Sequence, residues 1–262
     1  MESLSRRCGA LLLACAALPV SAARLLIFGE QHDQPDQQRQ VAAEVQALAG
    51  RGQLAAVVLE MAEQPLRTSA LPRDASESAV REALKWKGWP WEPYAAVVMN
   101  AVRAGVPVLG GNLPRADLRA AMADPTLDDR VDEGTRAALA EAVRSGHCDL
   151  LPASQQPGMV RIQIARDQTM ARVAADAVRA APPDGTVLLL AGAQHASRDR
   201  GVPLHLASID ANLPVRVVMF GEASSGLVAD ERRPALVAPQ DDHCGALRKQ
   251  LATPPAASAA SR

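Results

Sequence analysis

At 262 residues the chain is long enough for one α/β domain with a substantial core, and 48% apolar content excludes an intrinsically disordered protein. Its 28 basic and 29 acidic residues leave a net charge of −1, so no surface for nucleic acid or another polyanion is encoded. Aromatic side chains are scarce: three Trp, one Tyr and two Phe in the whole chain.

Residues 1–23 read as a targeting segment. Arg6 and Arg7 precede the apolar run CGALLLACAALPV and the small-residue stretch SAAR. The run is too short to span a bilayer. Cleavage after Ala22 or Ala23 gives a soluble periplasmic protein, and processing at Cys15 in LLAC gives a form lipid-anchored to a bacterial membrane; both mean export. Export leaves Cys148 and Cys244 as the remaining cysteines in an oxidising compartment. A bridge between them is the preferred reading over two separate thiols; it would close a loop of roughly 95 residues, worth about 4 to 5 kcal/mol on chain-entropy grounds.

Five short apolar runs follow: RLLIFG (24–29), AAVVLE (55–60), VPVLGG (106–111), TVLLLAG (186–192) and VRVVMF, ending at Phe220. Continuous rather than alternating, they suit strands buried on both faces of a parallel sheet. Helical signals lie between them. Residues 35–50 begin at Pro35 and end in AGRG, and residues 158–180 run to PPDG before the fourth strand. The fold expected is α/β: a mostly parallel sheet flanked by helices, with an inserted helical subdomain forming a lid. The domain spans 24–222, with helical insertions at about 62–104 and 113–157, and 223–262 is a partly disordered tail.

The first strand ends in GEQH (29–32) and the fourth in GAQH (192–195). Carboxyl ends of strands in an open parallel sheet form the crevice where ligands bind. Glu30, His32 and His195 are thus delivered to one rim, joined by Glu60 from VVLEM and Asn112 from GGN. Gathering carboxylates and imidazoles at a partly dry edge costs several kcal/mol unless they pair or meet a ligand. Beyond His195, Arg198 is either part of an ordinary helix approach or a fork for a ligand carboxylate. His147, His205 and His243 receive no ligand role. Trp86, Trp89, Trp91 and Tyr94 fall together in KWKGWPWEPY, either as a lid filling ordinary core or as a platform for a flat ligand.

Taken in order, LLIFGEQHDQPDQQR, VVLEM, GWPWEPY, GGNLPRADLRA, HCDLLP, MVRIQIARDQTMA and LLLAGAQHASRDRGVPLHL resemble the ChaN-like haem-binding proteins. These are a bacterial family of exported or lipid-anchored proteins associated with haem and iron uptake, similar in layout to erythromycin-esterase-like and Tiki/TraB-like proteins. The resemblance implies non-covalent haem, with Tyr94 on the iron. It also implies contributions from Trp89, Trp91, His32, Asn112, His195 and Arg198, and a homodimer that brings two haems face to face. The haem donor and acceptor are not implied. Cys-x-x-Cys-His is absent, which agrees with non-covalent binding, and Gly-x-Ser-x-Gly is absent, which argues against an ordinary serine hydrolase.

Binding without catalysis is the favoured reading. The alternative is a metal-dependent esterase or peptidase in which Glu30, His32, Glu60 and His195 hold a divalent metal or act as acid and base. An aromatic platform beside the single Tyr suits a haem binder and is not needed by a hydrolase.

Overall fold

The computed structural model describes residues 22–221, 226–240 and 242–252. The expected targeting segment lies outside the described residues except for its last two positions, as does the chain end at 253–262.

Six strands form one sheet: β1 (Arg24–Glu30), β2 (Leu54–Glu63), β3 (Val108–Asn112), β4 (Thr186–Gly192), β5 (Val215–Phe220) and β6 (Glu231–Arg233). Their order is β3-β2-β4-β1-β5-β6 and all five pairings are parallel. Every residue of β4 is buried, as the continuous apolar pattern requires of a strand covered on both faces.

Alternate residues of the strands feed two cores. On one face Phe28, Leu59 and Leu190 pack with Val41 and Val45 of α1 (Pro35–Gly50) and with Val97, Val98 and Val102 of α3 (Glu92–Arg103). The short helix α2 (Glu77–Ala83) contributes Val80 and is capped by the Ser76 hydroxyl, which accepts from Ala79 N. On the other face Ile27, Val58 and Leu189 pack with Met170 and Ala174 of α6 (Gln156–Ala180) and Leu206 of α8 (Val202–Ile209). The segment 62–104, expected to lie over one end of the sheet, thus supplies α3 to a face layer as the crossover between β2 and β3. The segment 113–157 matches the lid expectation better. It gives α4 (Leu118–Ala123) and α5 (Glu133–Gly146), which pack with α6 in a third cluster of Ala121, Leu139, Val143 and Ile164.

The topology fixes where a ligand can go. From β1 the chain turns through α1 on one face towards β2; from its neighbour β4 it turns through α7 (Ala193–Ala196) and α8 on the other face towards β5. Adjacent strands whose connections leave in opposite directions open a crevice at their carboxyl ends. These are the two strands that end in the Gly-x-Gln-His motifs, paired with Glu30 opposite Gly192.

Residues 226–240, in the expected tail, form an ordered strap. The Arg198 guanidinium binds Asp230, whose carboxylate also accepts from Val217 N, and β6 then pairs with β5. Further on, Leu236 N donates to Asp36 and Ala238 N to Gln34. The final helix α9 (His243–Ala252) is joined to the end of α5 by the Cys148–Cys244 disulfide, with Cα atoms 5.6 Å apart. The expected bridge is present. No helix among the described residues is long and apolar enough to cross a membrane.

Candidate functional site

The crevice is a cavity of about 410 Å³. Its floor carries Glu30, His32, Glu60, Asp167 and His195; α5 walls it with Leu139, Ala142, Val143 and Gly146, followed by His147; Leu227 of the strap closes the side. No lysine or arginine lines it among the described residues.

The floor is one connected polar network. His195 Nδ1 lies 2.7 Å from Asp167 Oδ1, and His195 Nε2 faces Glu60 Oε1 at 3.5 Å. Glu60 accepts from the backbone N–H of Gly192 at 2.7 Å and has His32 Nε2 3.8 Å away. His32 Nδ1 sits 2.8 Å from Glu30, and Glu30 also accepts from the Tyr94 hydroxyl at 2.7 Å and from the Gln38 amide. The motif glycines make this density of groups sterically feasible. A Cβ on Gly192 would stand 3.0 Å from His32 Nε2, and one on Gly29 would stand 2.7 Å from the Ala196 Cβ.

Burial sets the ionisation of these groups against one another. For His195 burial favours the neutral ring, but Asp167 and Glu60 outweigh it and raise its pKa to about 9. Asp167 is driven up to about 6 by burial, partly offset by the imidazole. This pair shares a proton at neutral pH, and with Glu60 alongside it rests on His195. Burial also works against the Glu60 carboxylate, but His195, His32 and the Gly192 N–H hold it below the usual range. Glu30 is raised by burial, which its donors His32, Tyr94 and Gln38 do not fully offset. His32 is raised because Glu30 and Glu60 outweigh its burial.

Glu30, His32, Glu60 and His195 are therefore brought together as the motifs suggested; the other expected residues are not. Tyr94 is completely buried, and its phenol is held neutral by burial and by Glu30. In this arrangement the hydroxyl positions Glu30 and lies 3.2 Å from His32 Nδ1. Trp91 is core: its indole N–H donates to Glu77, its ring meets Trp86 edge-on at 5.0 Å, and Trp86 in turn contacts Tyr94. Of the three Trp only Trp89 is half-buried, packed against the same core and tilted against His32 with ring centroids 4.5 Å apart. The Asn112 amide ties β2 to β3 by donating to the Glu60 carbonyl. Arg198 is turned away to Asp230 and the Val215 carbonyl, so it is not the carboxylate reader that its position after GAQH suggested.

Sequence reasoning missed Asp167 and Gln38, which complete the floor network. Asp167 lies three residues after Ile164 and four before Ala171 on the buried face of α6, and a carboxylate inside an apolar stripe is a readable signal. Among the described residues, no group of three or more His, Cys, Asp or Glu is arranged to hold a metal ion. The carboxylates and imidazoles proposed for a divalent metal pair with one another and with Asp167.

Haem fits the cavity in part. The volume lies within the range of small-molecule sites, the α5 wall is apolar, and three imidazoles line the space. With three carboxylates in the floor and no cation in the lining, a haem would have to turn its propionates to the mouth.

Residues 17–206 match the family model described as haem-binding uptake, Tiki superfamily, ChaN. Among solved structures, ChaN of Campylobacter jejuni, described as binding haem cofacially, aligns at 23% identity over 76% of this chain and 81% of its own, with a TM-score of 0.63. An erythromycin esterase, EreC, in its open conformation aligns at 15% identity over 77% of this chain and 70% of its own, with a TM-score of 0.45. No curated protein matches the sequence.

Proposed function

This chain belongs to the ChaN family of haem-binding uptake proteins in the Tiki superfamily, and on that premise we propose that it is an exported protein of haem and iron uptake that holds haem non-covalently in the crevice between β1 and β4. The observation that carries the reading is the pairing, within one cavity of about 410 Å³, of an apolar wall on α5 with the imidazoles of His32, His147 and His195. Leu139, Ala142 and Val143 would hold the apolar face of the macrocycle, with the polar floor beside it. Trp89, tilted against His32, adds an aromatic ring beside the floor. Export is supported by the leader-like composition of residues 1–23 and by a disulfide of the kind that persists outside the cytoplasm. Attachment by lipid at Cys15 and release after cleavage near Ala22 are the two export outcomes.

A homodimer is part of the proposal. The relative from Campylobacter jejuni binds haem cofacially, and two copies meeting mouth to mouth would bring two haems into that relation here. The strap presents Leu236 and Val237, 74% and 81% exposed, beside the Gln34 and Asp36 side chains that follow His32 in the chain.

The test is a titration of the mature protein with ferric haem, followed by absorbance and sedimentation, beside Ala142→Trp, which fills the cavity from its apolar wall. Saturable binding that is lost in the variant supports the reading. Absence of saturable binding in the unaltered protein removes it.

One observation favours a second reading, acid–base hydrolysis of an ester or peptide. His195, charged by Asp167 and Glu60, is a proton donor at neutral pH inside the cavity, and Glu60 beside it is an acceptor. Hydrolysis of ester or peptide substrates, lost in His195→Ala, supports that reading; a purified protein inert towards both classes overturns it.

A further inference from the structure

From Pro234 to Ala238 the strap is held by one edge only. Gln40 donates to the Pro234 carbonyl, Leu236 N donates to Asp36, and the Gln34 amide accepts from Ala238 N and donates to the Ala238 carbonyl. These groups belong to residues 234, 236 and 238, the period of an extended chain whose alternate peptide groups point to opposite sides. The N–H and C=O of Ala235 and Val237 therefore face away from α1, and among the described residues they make no hydrogen bond.

The same stretch is apolar on its surface. Leu236 and Val237 are the most exposed large hydrophobic residues described, and Leu236 is fixed there by its own N–H on Asp36. The free edge is also short. Pro239, the next residue on the outward side, has no N–H to give, and in the other direction Arg233 turns its carbonyl inwards to Gly221 N. A free backbone edge with apolar side chains is a template for another extended segment.

We propose that the strap pairs with the strap of a second copy, antiparallel about a two-fold axis at Leu236. Ala235 then exchanges both hydrogen bonds with the partner's Val237, and Val237 does the same with the partner's Ala235. Leu236 stands directly opposite the partner's Leu236, with Cα atoms about 4.5 Å apart in a pair of this kind. The edge is self-complementary, as an isologous contact requires: its outward residues lie symmetrically on either side of Leu236, and the ladder stops at Pro239 and Arg233 in both copies. A longer foreign strand finds no further donors there. The proposal deepens the homodimer reading above by naming its protein contact, and it holds whether or not haem is bound. α1, which carries the strap, starts where β1 ends, so the junction lies at the same edge of the sheet as the cavity. Three residues a side bury far less than the roughly 1,200 Å² of a stable interface, so the pairing is weak and depends on concentration.

The test follows sedimentation over a range of protein concentrations, without and with ferric haem, for the unaltered protein, Val237→Pro, Leu236→Lys and Leu236→Glu. Proline at 237 removes an outward donor and leaves every bond to α1 in place; the charged residues set like charges against each other across the axis. The expected result is a concentration-dependent dimer for the unaltered protein and a monomer for each variant, with circular dichroism unchanged. Mixing Leu236→Lys with Leu236→Glu should restore the dimer, because a two-fold pairing at this residue puts opposite charges face to face. Failure of the mixture to dimerise overturns the register. A dimer that persists in all three variants overturns the strap contact and leaves the homodimer reading standing. If the unaltered protein is monomeric at every concentration, with and without haem, both fall, and the free edge is left to a different chain.

Discussion

His195 Nδ1 stands 2.7 Å from Oδ1 of Asp167, in a pair so deeply buried that neither residue exposes a tenth of its surface. The imidazole therefore binds its proton more tightly in the folded protein, with a pKa of about 9, than in the unfolded chain, where it is near 6.5. Because the folded value is raised, this contribution to stability is complete below pH 6.5, declines as pH rises towards 9, and is lost above that. Asp167→Asn removes the charge that raises it. The expected outcome is a His195 titration displaced downwards by NMR, a flatter dependence of denaturation midpoint on pH between 6.5 and 9, and a loss of about 3 kcal/mol at neutral pH, as for one partner of a buried pair.

Tyr94→Phe keeps the buried ring and deletes one donor to Glu30. Glu30 then relies on His32 and Gln38, and its pKa, already raised, rises further. A loss of about 1 to 3 kcal/mol in denaturant unfolding is expected for an under-satisfied buried carboxyl. The ferric haem spectrum of the same variant tests the tyrosine ligation that the family resemblance implies: a phenolate-type band lost in Tyr94→Phe puts the phenol on the iron, and an unchanged spectrum leaves it with Glu30.

Much of the fold and part of the site were legible in the sequence because each rests on a local signal. Uniformly apolar five- to seven-residue runs mark doubly covered strands, and Gly-x-Gln-His at two strand ends marks a rim whatever the strand order. That β1 and β4 are neighbours, with Glu30 opposite Gly192, depends on long-range pairing that no local pattern encodes. The aromatic cluster misled for a related reason. Composition shows that rings are concentrated at 86–94, but not which face of the segment is turned inwards, and Trp86, Trp91 and Tyr94 point into the α1–α3 core. Arg198 likewise has the right neighbours in sequence, yet its partner Asp230 is 32 residues away in the strap.

The same division predicts that the tryptophans separate by function. Trp91→Ala empties a core position that also anchors Glu77 and should cost about 3 to 5 kcal/mol. Trp89→Ala removes a half-buried ring in contact with His32 and should cost about 1 kcal/mol or less. In the haem titration the order reverses: Trp89→Ala weakens binding, while Trp91→Ala, measured where it is still folded, does not. Equal effects of both on binding would mean that the segment acts as one unit rather than as core plus a ring beside the floor.

The disulfide couples stability to the cavity wall. Cys148 directly follows His147, and its bridge to Cys244, 96 positions along the chain, closes nearly the whole of α6, β4, β5 and the strap into one loop. Opening it restores conformational freedom to the unfolded chain worth about 4 to 5 kcal/mol in the chain-entropy account, and frees the turn at 148–149 at the end of α5. Strap contacts from Arg198 to Asp230 and from Arg233 to Glu44 do not depend on the bridge, so β6 should stay in place while α9 detaches. Cys148→Ser with Cys244→Ser is therefore expected to lower the unfolding free energy by about that amount, read from the denaturant midpoint and slope, and to weaken haem affinity by loosening the end of the α5 wall. A stability loss with unaltered haem affinity would show that the end of α5 keeps the cavity wall in place through its backbone hydrogen bonds alone.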